Sequence, residues 1–262
     1  MALKAYPDLG CFPNGNGAPE DAVDNVLCLG DERTFETVKG ILDGLCELFP
    51  DSEMIHVGGD EANRANWDAC PKCRARKALV GARDGAGLQA DFTARMAAHL
   101  KAKGRRLVGW DEILGGGMAP EGTVIMSWRG AEGGIAASKA GRSCVMCPHT
   151  SCYYNYSQCL KDDPFAYPWW SIPLSLEKAH AYDPLAGIPE TARGAVLGGQ
   201  CCLWSNMIPD EPELQWKAWP RACATAEVFW SENRPGYEDF LRRMRVHRPR
   251  LLARHVNCAP LE

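Results

Sequence analysis

Two acidic residues stand side by side at Asp60 and Glu61, directly after a Gly-Gly pair, in the run HVGGDEAN. A carboxylic acid can give a proton to a leaving oxygen and, once ionised, take one from water. Hydrolysing a glycoside by the common retaining route uses two carboxyls about 5 to 5.5 Å apart, on opposite sides of the anomeric carbon. Chain neighbours are poorly placed for that, because successive strand side chains point to opposite faces and splay apart at a strand end. Adjacent acids suit another division of labour, in which one protonates the leaving oxygen and the other grips a substrate group that supplies the nucleophile. Gly58 and Gly59 let the backbone pass close to a ligand without side-chain bulk. An Asp-Glu pair on its own is more often an exposed loop or a helix start, so the case depends on what accompanies it.

Three tryptophans accompany it: Trp110 in GWDE, Trp128 in SWRG and Trp204 in LWSN. A single large aromatic is more often core than ligand-binding. Each of these, however, falls at the end of a segment that reads as a strand. EMIHV at 53 to 57, RRLVGW at 105 to 110, TVIMSW at 123 to 128, RSCVMC at 142 to 147 and AVLGGQCCLW at 195 to 204 are short apolar runs. Between them lie helical patterns. DERTFETVKGILDGLCELF carries Phe35, Val38, Ile41, Leu42, Leu45 and Leu48 on one face. A Cys-Pro loop and a helix over roughly 88 to 103 follow the first strand, and AEGGIAASKAG ends at Gly141 as a C-cap. After a long Tyr/Trp/Pro-rich connection from 148 to about 190 come an apolar helix near 216 to 229 and a basic helix, YEDFLRRMRVHRPRLLARH. Short apolar strands alternating with helices predict a parallel sheet covered on both faces. Acids and aromatics gathered at strand C-termini favour a (β/α)8 barrel, whose active site lies on that face. FAYPWWSIP reads as an ordered loop, and no repeat of fixed period occurs.

Composition excludes several alternatives. The chain has 262 residues, 46% hydrophobic and 24% charged, with a formal net charge of -4. It is globular, and its scattered Lys and Arg form no basic stripe for nucleic acid. No apolar run reaches the roughly 20 residues that span a bilayer, and MALKAYPDLG lacks the apolar core of a signal peptide. Thirteen cysteines leave at least one unpaired within the chain. Cys70/Cys73 and Cys144/Cys147 together offer four thiolates for a structural zinc. The long spacing between the pairs, and the strand pattern of RSCVMC, favour buried or loop thiols instead, and no metal or cofactor is expected.

The motifs also carry a family resemblance. HVGGDEAN (His56 to Asn63), GWDEIL (Gly109 to Leu114), MSWRG (Met126 to Gly130), CYYNY (Cys152 to Tyr156) and QCCLWSN (Gln200 to Asn206) resemble, in this order, the β-N-acetylhexosaminidases of glycoside hydrolase family 20. The resemblance implies an incomplete (β/α)8 barrel of about the last five βα units, one domain over residues 1–262, lacking the first three strands and a small preceding domain. It implies exo-acting removal of terminal β-linked N-acetylhexosamine, with glycans as partners and no cofactor. The 2-acetamido carbonyl then attacks its own anomeric carbon through an oxazolinium, with the entropic advantage of an intramolecular reaction. By resemblance, Glu61 is the general acid and later the base, and Asp60 hydrogen-bonds the acetamide N–H. Trp110, Trp128 and Trp204 resemble the walls around the acetamido methyl and the sugar face, and Tyr153 the phenol that bonds the acetamide oxygen. Glu112 and Arg129 read as supporting residues or a rim ion pair, and His149 as a loop histidine with its ring satisfied.

Two positions depart from the family pattern, which has Asp and Glu where this chain has Asn155 and Asn206. Both amides can still bond sugar hydroxyls, with less charge-assisted strength. The replacements suit either a pocket that tolerates an anionic 6-substituent or a degenerate, non-catalytic carbohydrate-binding relative. The family's hydroxyl-binding Arg and its acid-supporting His, both from the first strands, have no counterpart here. Little activity is therefore expected of this chain alone, and its two open barrel edges invite self-association. Relatives are often periplasmic, secreted or lysosomal, and the sequence does not select among these.

Overall fold

The structure is a computed structural model and describes every residue except 1, 16, 18–25, 159–162, 167–171 and 262. The chain forms two compact units, Met1–Met126 with Ala140–Ser143, and Ser127–Lys139 with Cys144–Glu262.

In the first unit, the short helix α1 (Ala2–Ala5) precedes α2 (Glu32–Leu48). Asp31 caps α2 by accepting a hydrogen bond from the Arg33 N–H at 3.0 Å. Phe35 and Leu42 of its apolar face are buried, but Ile41 and Leu48 stay largely exposed, so the six-residue face predicted from spacing is only partly covered. Strand β1 (Met54–His56) is followed by three helices, α3 (Arg64–Ala69), α4 (Pro71–Val80) and α5 (Gly85–Ala102), and by β2 (Arg106–Trp110) and β3 (Val124–Ser127). The Cys-Pro segment read as a loop is instead the joint between α3 and α4. Pro71 sits in the first turn of α4, where its missing N–H costs nothing, and Gly81 at φ +70 ends that helix. β1 runs parallel to β2 with Ile55 opposite Leu107, and β2 parallel to β3 with Gly109 opposite Ile125. Ile55, Leu107, Val108, Val124 and Ile125 are all buried, as expected of a sheet covered on both faces.

The second unit takes up the chain at Ser127. It contains α6 (Glu132–Lys139), β4 (Ser143–Met146), α7 (His149–Cys152), α8 (Leu176–Ala181), β5 (Val196–Gly199), α9 (Glu211–Ala218), α10 (Arg221–Trp230) and α11 (Tyr237–Leu252). β4 and β5 are parallel, with an irregularity between Cys144 and Val145. Gly141 lies just beyond α6 at φ +69, as its predicted C-cap role requires. β5 is shorter than the predicted run, and the single apolar helix predicted near 216 to 229 is two helices, divided at Trp219-Pro220. The long connection holds α7 and α8, while most of FAYPWWSIP lies outside the described residues. The core of this unit is built around a fully buried Arg221, whose guanidinium donates to the carbonyls of Lys217, Leu174 and Tyr154. Burial lowers its pKa to about 10.

Parallel strands alternating with helices make this an incomplete (β/α)8 barrel. No helix among the described residues is long and apolar enough to cross a membrane. The four-cysteine group that the structure assembles is not the one that Cys-x-x-Cys spacing offered and that the sequence disfavoured. The sulfurs of Cys70 and Cys73 lie with those of Cys11 and Cys28, all within 4.8 Å of one another, whereas Cys147 is hydrogen-bonded to Cys202.

Candidate active site

The acid pair lies on the loop leaving the C-terminal end of β1. Strand pairing continues past His56: the Val57 N–H donates to the Val108 carbonyl at 2.9 Å, and the Trp110 N–H to the Gly58 carbonyl at 3.0 Å. The chain then turns through three positive-φ residues out of four, Gly58 at +74, Gly59 at +103 and Glu61 at +48. Glycine tolerates that conformation, whereas at Glu61 it is strained and must be held by its surroundings. The holding group is Gln89 of α5. Its side-chain N–H donates to the Gly59 carbonyl at 2.6 Å, while its oxygen accepts from Arg64 Nε at 3.1 Å and Nη2 at 2.9 Å. Arg64 also donates to the Glu112 carbonyl at 3.0 Å. This network ties the acid loop to α3, α5 and the turn after β2.

Gly59 has a structural reason beyond the one read from sequence. A Cβ there would lie 2.5 Å from Ile113 Cγ2, so the missing side chain makes room for the turn after β2. Asp60 and Glu61 are exposed and border a cavity of about 490 Å³ whose other walls include Leu3, Leu29, Trp67, Phe92 and Ile113. Beside them, the His56 ring meets the buried Trp110 edge-on at 4.8 Å, and His56 Nδ1 accepts from the Gly58 N–H at 3.0 Å. Crowding around the His56 ring lowers its pKa, and the charge of Asp60 works in the opposite direction.

The second unit gathers the aromatic residues. The Trp128 and Tyr153 rings stack at 6.0 Å with 13° between planes, and Trp204 meets Tyr153 edge-on at 5.9 Å. His149 packs against both Trp128 and Tyr153, and its Nδ1 lies 3.0 Å from the Tyr156 hydroxyl. The backbone sets this arrangement: the His149 N–H donates to the Trp128 carbonyl at 2.7 Å, and Tyr153 forms a parallel bridge with Cys202. Tyr153 is buried and hydrogen-bonded to Trp204, and burial raises its phenol well above the ordinary value. Trp204 keeps 42% of its surface open to solvent, an apolar plate without full cover. Asn155 is buried, with a side-chain oxygen that has no hydrogen-bond partner among the described residues, so an acceptor is available there. Asn206 is exposed.

Of the residues expected from sequence, Asp60, Glu61 and Trp110 occupy neighbouring positions in one unit, and Trp128, Tyr153 and Trp204 form one aromatic cluster in the other. Glu112 is buried and Arg129 exposed. His149 has its ring satisfied, as expected, by the Tyr156 hydroxyl, and it packs into the aromatic cluster. Sequence reasoning passed over Gln89, Arg64 and Tyr156. A signal for Gln89 was present: it and Thr93 are the polar members of a buried stripe on α5 that otherwise carries Leu88, Met96 and Leu100.

The family model described as "Glycosyl hydrolase family 20, catalytic domain" matches residues 1–233. A beta-hexosaminidase of Porphyromonas gingivalis is 36% identical over 253 residues, covering 93% of this chain and 31% of its own length. A beta-hexosaminidase of Akkermansia muciniphila is 29% identical, covering 95% of this chain and 51% of its own. The crystal structure of an exo β-N-acetylglucosaminidase from Vibrio harveyi, complexed with N-acetylglucosamine, superposes with a TM-score of 0.86 at 28% identity, over 99% of this chain and 41% of that one. The chain thus spans about a third to a half of the length of these relatives.

Proposed function

The chain belongs to glycosyl hydrolase family 20, and on that footing we propose that it carries the catalytic acids of an enzyme that removes terminal β-linked N-acetylhexosamine by substrate-assisted, retaining hydrolysis. The observation that carries this reading is the acid loop itself: two adjacent carboxyls at the end of a parallel strand, with Glu61 held in a left-handed conformation. Adjacent carboxyls do not supply the two opposed groups of the common retaining route, and a nucleophile from the substrate removes the need for them.

Glu61 gives its proton to the glycosidic oxygen as the C1–O bond breaks, and the acetamide carbonyl oxygen closes on C1. Asp60 accepts a hydrogen bond from the acetamide N–H and balances the positive charge of the oxazolinium. Water then attacks C1 while the Glu61 carboxylate takes its proton, which releases the sugar with its original anomeric configuration and restores the acid. Trp110, Trp128 and Trp204 offer indole surface to the acetamido methyl and the apolar sugar face. The Tyr153 hydroxyl serves the acetamide oxygen, and Asn155 and Asn206 serve sugar hydroxyls.

The test is turnover of fluorogenic β-GlcNAc and β-GalNAc glycosides by the chain in its full reading frame, with Glu61→Gln and Asp60→Asn variants. Loss of the acid is expected to lower kcat by about 10² to 10⁴-fold. Azide and leaving-group rescue of Glu61→Gln with activated aryl glycosides is also expected. Equal activity of both variants and parent would overturn the assignment. A second reading, a carbohydrate-binding relative without turnover, is favoured by Asn155 and Asn206. It predicts that an oxazoline-like inhibitor binds no better than the intact glycan, whereas the enzyme reading predicts much tighter binding of the inhibitor.

A further inference from the structure

Three separate stretches of the first unit bring four thiols to one point. Cys11 follows Gly10, which bridges antiparallel to Leu27, and Cys28 follows Leu27. Backbone bonds lock this pair of stretches: the Cys11 N–H donates to the Val26 carbonyl at 3.0 Å and the Cys28 N–H to the Leu9 carbonyl at 2.8 Å. Cys70 stands at the joint of α3 and α4, and Cys73 in the first turn of α4. The Cys70 to Cys73 turn is pressed against the first stretch so closely that a Cβ on Gly30 would fall 2.2 Å from the Lys72 carbonyl carbon and 2.5 Å from the Cys73 nitrogen. Trp67 adds a hydrogen bond from Nε1 to the Leu27 carbonyl at 3.0 Å.

The sulfur geometry is that of a metal site. Cys11 to Cys73 is 3.6 Å, Cys28 to Cys73 is 3.7 Å and Cys28 to Cys70 is 3.8 Å, and no pair exceeds 4.8 Å. A zinc ion with four thiolates at about 2.3 Å in tetrahedral array has its sulfurs about 3.8 Å apart. Disulfides join sulfurs two by two, whereas here Cys28 and Cys73 each have two near neighbours. All four cysteines are buried in an apolar setting with Phe12, Leu29, Trp67 and Leu88, which excludes water and competing ligands.

We propose that Cys11, Cys28, Cys70 and Cys73 hold one structural zinc ion as a tetrathiolate. Binding Zn²⁺ displaces the thiol protons, leaving four Zn–S bonds and no change of oxidation state. The ion would fasten the N-terminal stretches to the α3–α4 joint. α3 begins directly after the acid loop, so the ion would also steady the loop that carries Asp60 and Glu61. The site is independent of the proposed catalysis, and its test needs no turnover.

The 262-residue chain, produced with zinc in the medium and purified in reductant, should retain about one zinc per chain after dialysis. X-ray absorption should report four sulfur neighbours at about 2.3 Å. Exchange for Co²⁺ should give the thiolate-to-cobalt charge-transfer and visible bands of a tetrahedral sulfur site. Cys28→Ser and Cys73→Ser should lose the metal, and Cys144→Ser should keep it. Should a serine variant fail to fold, the parent's metal content, cobalt spectrum and sulfur shell still decide the matter. Less than about 0.1 zinc per chain, iron in its place, zinc retained without the sulfur shell, or Cys11, Cys28, Cys70 and Cys73 recovered as disulfides would each overturn the proposal.

Discussion

Replacing Gln89 by Leu removes the group that holds the acid loop while preserving the shape of the buried stripe on α5. Two interactions go together. One is the amide donation to the Gly59 carbonyl at 2.6 Å, and the other is the acceptor that Arg64 meets through Nε and Nη2. A neutral hydrogen bond is worth about 0.5 to 1.5 kcal/mol and one to a charged donor about 1.5 to 3. Arg64 keeps the Glu112 carbonyl and partial access to water, so the combined loss comes to about 2 to 3 kcal/mol rather than the full sum. Freed of its clamp, the strained turn at Glu61 relaxes, and a displacement of about 1 Å in a reacting group can cost about 100-fold in rate. The expected result is kcat down by about 10 to 100-fold with KM nearly unchanged, measured on a fluorogenic β-GlcNAc glycoside with the full reading frame. Gln89→Glu separates the two halves of the clamp, because a carboxylate still accepts from Arg64 but cannot donate to the Gly59 carbonyl. It should therefore keep most of the stability yet lose rate like the Leu variant. If both variants retain kcat within a factor of two while Gln89→Leu melts earlier, Gln89 serves packing alone and the positioning argument fails.

Trp204, with 42% of its surface exposed, should cost little stability when changed to Ala, under about 1 kcal/mol in urea unfolding, while KM for N-acetylhexosaminides rises at least tenfold; an unchanged KM would remove it from the sugar wall. Glu227 sits between Arg243 and His180, and the Arg243 hydrogen bonds, helped by His180, hold its pKa below the ordinary value. A depressed carboxylate pKa stabilises the fold fully above about 4.5 and loses that contribution as pH falls through the folded value, so the gap in melting temperature between parent and Glu227→Gln should be widest near neutrality and close below about pH 4.5. A gap that does not change with pH would sink that account. Because Asn155 and Asn206, proposed to serve sugar hydroxyls, carry no negative charge, 4-nitrophenyl GlcNAc 6-sulfate should be turned over at least as well as the unsulfated glycoside; a strong preference for the unsulfated sugar would count against a pocket suited to anionic substituents.

The order of elements could be read from the sequence because each strand is a short apolar run and its neighbours have helical spacing. β1, β2, β3 and β4 fall within the predicted runs, and Gly141 closes α6 as its freedom at positive φ suggests. Reading failed where tertiary contacts decide. Cys70-Pro71 looked like a loop because Pro breaks helices, yet at the first turn of a helix it breaks nothing. Ile41 and Leu48 share spacing with Phe35 and Leu42 but are not covered by any of the described residues. The acids and indoles were visible as motifs, since Trp110 ends β2, Trp128 directly follows β3, and Asp60, Glu61 and Trp204 follow β1 and β5 within five residues. Gln89 was not, because its role comes from a loop 30 positions earlier in the chain. The cysteine group escaped for the same reason: spacing joins Cys70 to Cys73, but only folding brings Cys11 and Cys28 beside them.

The left-handed backbone at Glu61 sets protein lifetime and chemistry against each other. Glycine would sit there without penalty, offset only in part by its greater freedom in the unfolded chain. A chain with glycine at this position would therefore be as durable as the parent or slightly more so, and would lack the carboxyl proposed as proton donor. Any laboratory selection that rewards heat resistance or yield alone would drift toward erasing the side chain to which the proposed proton transfer is assigned.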